Sequence, residues 1–153
     1  VNGLDYQKVM EKVGENVLGG YLGLGTTIMT PEELHTQSLR SKGLGVIIQV
    51  VGELEGQVIC SMEMETARSI VGRMMGGAAV SEMDEMGWSA FQEFGNWIVS
   101  GIATQLSEQG IVVNITHPLI QEGDFIVHMN KKMTPINIIT DIGQLDMYIT
   151  LTS

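Results

Sequence analysis

Between Leu44 and Met62 two apolar, β-branched runs face each other across a glycine-bounded link. Leu44 to Val51 holds Val46, Ile47, Ile48, Val50 and Val51, and Gln57 to Met62 is the return run. Gly52-Glu53-Leu54-Glu55-Gly56 lies between them and reads as a hairpin connection. Both runs read as strands.

The flanking segments add helices and further strands. Asp5 to about Leu24 reads as a helix with Leu4, Val9, Val13, Val17 and Leu18 in a stripe, Asp5 as its cap and Gly19, Gly20 and Gly23 weakening its end. Met64 to Met75 reads as a second helix, with Ala67, Ile70, Val71, Met74 and Met75 at three- and four-residue steps, stopped by Gly76-Gly77. The longest helix opens at Ser81 as N-cap with an acidic first turn and runs to about Glu108, closed by Gly110. Thr26–Met29, Ile111–Thr116 (ended by Pro118), Phe125–Met129, Ile136–Asp141 and Leu145–Leu151 read as strands, the last two joined by Ile142-Gly143-Gln144. Glu32 to Gly43 reads as a loop or short helical turn. The reading is one α+β domain over residues 1–153.

Composition narrows the function. The hydrophobic fraction is 44%, enough for a core, and aromatic residues are 5%, so aliphatic side chains and 11 methionines must fill much of the interior. A core role for the methionines is favoured over ligand binding. The net charge of −10 and 8 Lys plus Arg argue against nucleic acid as a partner. No signal segment opens the chain and no apolar run approaches the ~20 residues that span a bilayer, so a cytoplasmic, membrane-free protein is expected. The lone Cys60, in an apolar run, reads as a buried small residue and not as a nucleophile. His35, His117 and His128 lack metal-like spacing and read as surface or turn residues. Gly76-Gly77 is a helix stop and not a phosphate loop, since no Lys-Ser/Thr follows.

On the long helix Met83, Gly87, Ala90, Phe91, Phe94, Ile98 and Gly101 share one face. Ser89, Glu93, Asn96, Ser100 and Ser107 share another, in a wedge of about 60° at ~100° per residue. Glu93 and Asn96 point out side by side among short neighbours that would admit another protein's surface. A carboxamide can hold a water in line with phosphorus, and a carboxylate can pair with a lysine or arginine. Such a pair is also commonplace on solvated helices, and no metal cage or nucleophile triad accompanies it. A faint pattern links the first and third helices, Val13-Gly14-Glu15-Asn16-Val17-Leu18-Gly19-Gly20 against Phe94-Gly95-Asn96-Trp97-Ile98-Val99-Ser100-Gly101, with a one-residue slip.

Three stretches carry a family resemblance: Gly52 to Ile59; Glu65-Thr66-Ala67 through Met74-Met75-Gly76-Gly77; and Met83-Asp84-Glu85-Met86 followed by Glu93-Phe94-Gly95-Asn96, a Glu-x-x-Asn motif. With the later strands they resemble the CheC/CheX class of bacterial chemotaxis phosphatases, its CheX branch most closely, from about Leu44 onward. The resemblance implies a CheC-like α+β fold, with antiparallel strands packed against helices and a pseudo-two-fold repeat, and hydrolysis of the aspartyl phosphate on a CheY-like response regulator. It implies that Asn96 orients the attacking water, that Glu93 contacts a regulator lysine, and that the regulator brings the divalent metal (magnesium), leaving this chain with no cofactor of its own. It also implies a homodimer. Members of the CheC type carry two such motifs; here Glu11-Lys12-Val13-Gly14 has glycine where the second asparagine would stand, which implies one site per chain. The alternatives are a non-catalytic regulator-binding or motor-switch-related module and, more weakly, a small-molecule hydrolase.

Overall fold

The computed structural model describes residues 4–29, 38–40, 42–128 and 132–152, with the backbone alone for 38–40, 127 and 128. The expected hairpin forms its centre: β3 (Gly43–Gly52) and β4 (Glu55–Met62) pair antiparallel, with Val46 opposite Cys60 and Ile48 opposite Val58. Seven strands make one sheet in the order β1-β8-β9-β4-β3-β5, with β6 also on β3. The outer members are β1 (Thr26–Met29), β8 (Thr134–Thr140) and β9 (Gly143–Thr152) on one side and β5 (Val113–Ile115) and β6 (Leu119–Gly123) on the other. All these pairings are antiparallel. A separate ribbon joins β2 (Ser38–Arg40) to β7 (Ile126–His128).

Alternation along the strands decides where the core lies. Leu44, Val46, Ile48 and Val50 of β3, Val58, Cys60 and Met62 of β4, and Leu145, Met147 and Ile149 of β9 are buried on one face. Three helical elements cover it: α1 (Tyr6–Val13) with its π-helical continuation (Gly14–Tyr21), α2 (Met64–Met74) and α3 (Glu85–Glu108). Glycine permits the closest approaches. A Cβ on Gly95 would lie 3.0 Å from the Pro118 ring, and one on Gly101 would lie 3.3 Å from Val13. The long helix therefore lies tight against the β5–β6 link and the first helix.

Several expectations are corrected. The first helix is not α-helical to Leu24: after Val13 it winds as a π-helix to Tyr21, then ends through Gly23, whose φ is +69°. The long helix is capped by Asp84 and not Ser81, because the Asp84 carboxylate accepts from the Gly87 amide at 2.7 Å. Ile111–Thr116 shortens to Val113–Ile115, and Leu119–Gly123 is a further strand because the chain resumes pairing with β3 beyond Pro118. Ser38–Arg40, inside the expected loop, is a strand, while residues 30–37 and 41 lie outside the described residues. So do Met129, the last residue of the expected Phe125–Met129 strand, and His35. Most methionines serve the core as composition suggested: Met10, Met62, Met133 and Met147 are buried and Met64, Met74 and Met83 pack against it, while Met29, Met75 and Met86 are exposed.

Candidate functional site

The site is built on α3. Its buried residues include Gly87, Phe91, Phe94, Gly95, Ile98, Ile102, Gln105 and Leu106. Of the expected inner face, Met83 precedes the helix and Ala90 and Gly101 are only half-buried, whereas Ile102 and Leu106 extend the face toward the C-terminus. Phe91 and Phe94 anchor it, both 0% exposed, with ring centroids 5.7 Å apart. Trp88 meets the Phe91 ring edge-on at 6.4 Å. Gln92 donates through Nε2 to the Pro118 carbonyl at 3.2 Å, tying the helix to the β5–β6 link. The inner face and its flank are thus fixed, and the outer ridge is held in a set direction.

That ridge carries the candidate pair. Glu93 is exposed and Asn96 half-buried, with Ser89 and Ser100 exposed on either side. Asn96 Nδ2 donates to Glu93 Oε2 at 3.4 Å. A bond that long is weak and yields readily to a better partner. The two groups can therefore turn outward separately, the carboxylate toward a cation and the carboxamide toward a water or an oxyanion.

Beyond Asn96 the helix meets the π-helical segment. Trp97 lies against Tyr21, with ring centroids 4.9 Å apart and planes at 51°. Below these rings a groove of about 500 Å³ runs between the two elements, lined by Glu15, Asn16, Ser100, Thr104 and Gln105 among others. Glu93 and Asn96 are legible in the sequence, whereas this groove is not. The one-residue slip between the two helix patterns falls at the start of the π-helical segment, Gly14–Tyr21.

The other sequence candidates stand apart from the site. Cys60 is buried in the core, and burial, then the nearby Asp146 carboxylate, push its thiol up to about 12. His117 is exposed in the β5–β6 link, and His128 lies on β7. Gly76 and Gly77, both at positive φ, end α2, with the Gly77 amide donating to the Gly72 carbonyl at 2.9 Å. Among the described residues no group of three or more His, Cys, Asp or Glu is placed to hold a metal ion. Nor is any described helix long and apolar enough to cross a membrane.

Comparison with known proteins agrees with this architecture. The chain superposes on the chemotaxis protein CheX from Desulfovibrio desulfuricans with a TM-score of 0.83, at 16% identity, over 97% of this chain and 100% of that one. It superposes on the CheX–CheY–BeF3–Mg complex structure from Borrelia burgdorferi with a TM-score of 0.69, at 20% identity, over 97% and 99% of the two chains. In sequence it is 38% identical over 80 residues to the CheY-P phosphatase CheX of Thermotoga maritima, a match covering 52% of each chain. The match thus spans about half the length of that curated relative. The family profile "Chemotaxis phosphatase CheX" matches residues 44–140, which include α2, α3 and both members of the Glu93–Asn96 pair. The fold is CheX/CheC-like, and the chain belongs to the CheX family.

Proposed function

We propose that this protein hydrolyses the aspartyl phosphate of a CheY-like response regulator. The single observation that carries the reading is the outward pair on α3, Asn96 beside Glu93, joined only by a 3.4 Å hydrogen bond and flanked by serines. The relative from Thermotoga maritima bears the name CheY-P phosphatase, and the Borrelia burgdorferi complex pairs a CheX with a CheY.

In this reading the acyl phosphate and its magnesium arrive on the regulator. The Asn96 carboxamide, which does not titrate, holds a water by its oxygen or amide so that the water lies in line with phosphorus. Glu93 leaves its weak bond to Asn96 and pairs with a lysine of the regulator, fixing the angle at which the helix ridge approaches. Rate enhancement comes from position and from charges the regulator already carries, so no nucleophile is needed on this chain. A homodimer working in the cytoplasm completes the proposal.

Phosphate release from a phosphorylated CheY-like regulator, followed with and without the protein, tests it. Wild type should accelerate release. Asn96→Ala should lose about 10²–10³-fold of the turnover rate, the size of one preorganised polar group. Glu93→Ala should raise KM for the regulator, as loss of a docking contact does. Undiminished turnover by Asn96→Ala would remove the asparagine from the mechanism. Binding of the regulator with no change in its phosphate lifetime would select a non-catalytic binding module.

A further inference from the structure

The groove beside Asn96 has a polar floor. Gln105 of α3 is 8% exposed and lines it, and its carboxamide has no hydrogen-bond partner among the described residues. A buried carboxamide left unpaired costs free energy, so the floor favours a ligand that hydrogen-bonds to it. The π-helix forms the opposite wall. In an α-helix at ~100° per residue, positions five apart point about 140° away from each other. The i→i+5 winding from Gly14 to Tyr21 instead brings such pairs toward one face, so that Asn16 and Tyr21 both line the groove.

The lining chemistry specifies the ligand. Two tilted aromatic rings, Tyr21 and Trp97, stand at its edge with their centroids 4.9 Å apart, beside the Glu15 carboxylate. Aromatic faces and a carboxylate attract cations, while the carboxamides of Asn16 and Gln105 accept hydrogen bonds from N–H groups. The carboxylate's present partner is weak: Lys12 Nζ lies 3.8 Å from Glu15 Oε2, and the two side chains are 62% and 59% exposed. Among the described residues no lysine or arginine lines the groove.

Resting on the function proposed above, we infer that this groove receives an arginine or lysine side chain of the same regulator whose acyl phosphate meets Asn96, so that the regulator is gripped on both sides of Trp97. The net charge of −10 favours that cation electrostatically.

Glu15→Gln, a surface change that spares the fold, and Gln105→Leu, which removes the polar floor, test the inference by steady-state phosphate release. Each should raise KM for the regulator, Glu15→Gln by about three- to five-fold, the size of an exposed ion pair. The turnover number should stay within about two-fold of wild type, as for lost uniform binding. Exchanging the regulator's docking-face lysines and arginines singly for alanine should find one whose loss abolishes the effect of Glu15→Gln. Unchanged KM in both variants, or no regulator cation coupled to Glu15, overturns the inference. If the wild type binds but does not accelerate release, the phosphatase reading fails alone. The groove is then judged by affinity for regulator loaded with beryllofluoride and magnesium: weaker binding by Glu15→Gln sustains it, and equal binding overturns it.

Discussion

Cys60 points into the core from the middle of β4, opposite Met147 of β9, where no water stabilises a thiolate. Burial first, then the Asp146 carboxylate, raise its pKa from 9.0 to about 12. Below about 9 the thiol is protonated in both states, and its contribution to stability is fully present. As pH climbs from there toward about 12, the unfolded chain releases a proton that the native chain holds, and stability falls by up to about 1.4 kcal/mol per pH unit. The tyrosines Tyr6 and Tyr148, both raised by burial, act in the same direction. Urea unfolding from pH 8 to 11 should therefore show wild type losing stability more steeply than Cys60→Ala, which starts lower but lacks this proton. Parallel curves would mean that the thiolate is tolerated where it stands.

At the scale of elements, the start of α3 decides how firmly the Glu93–Asn96 ridge is held. The Asp84 carboxylate satisfies the Gly87 amide, while Ser81 lies outside the helix. Asp84→Ala should cost about 0.5–2 kcal/mol in urea unfolding, whereas Ser81→Ala should stay within about 0.5 kcal/mol. The reverse order would restore Ser81 as the cap. Both residues are good N-caps, and the sequence shows no preference between them until Gly87 is known to need a partner. The central hairpin, α2 with its glycine stop and the polar ridge of α3 were all legible, because each depends on short-range periodicity or glycine chemistry. The π-helix was not. Winding with about one extra residue per turn changes the pattern too little to see over eight residues. Gln105 escaped for a related reason: only tertiary packing determines that a glutamine late in an amphipathic helix is buried.

For the whole molecule, the sheet's second face poses the larger question, since all three helical elements lie on the first. Ile59 and Met133 are buried there, with Ile47 and Tyr148 packed against them. Phe125 lies over Gly45, where any Cβ would overlap its ring. Across the same face Gly45, Ser61 and Asp146 are register partners. Asp146 is 3% exposed, held by Lys42 Nζ at 2.6 Å and by Gln144 Nε2 at 2.7 Å, and the Lys42 amide donates to Ser61 Oγ at 2.9 Å. The residue just before β3 is thereby clasped to β4 and β9, and three strands are joined by one polar cluster. Removing the cation alone would leave a carboxylate in a nearly dry site. Lys42→Met should therefore cost about 1–3 kcal/mol, less than a fully buried pair because the lysine side chain is 42% exposed. Replacing both charges, as Lys42→Met with Asp146→Leu, should recover most of that loss, since two matched apolar groups carry no desolvation penalty. A Lys42→Met protein within about 0.5 kcal/mol of wild type in urea would mean that water can take the lysine's place at the Asp146 carboxylate. The strand junction would then rest on backbone pairing alone.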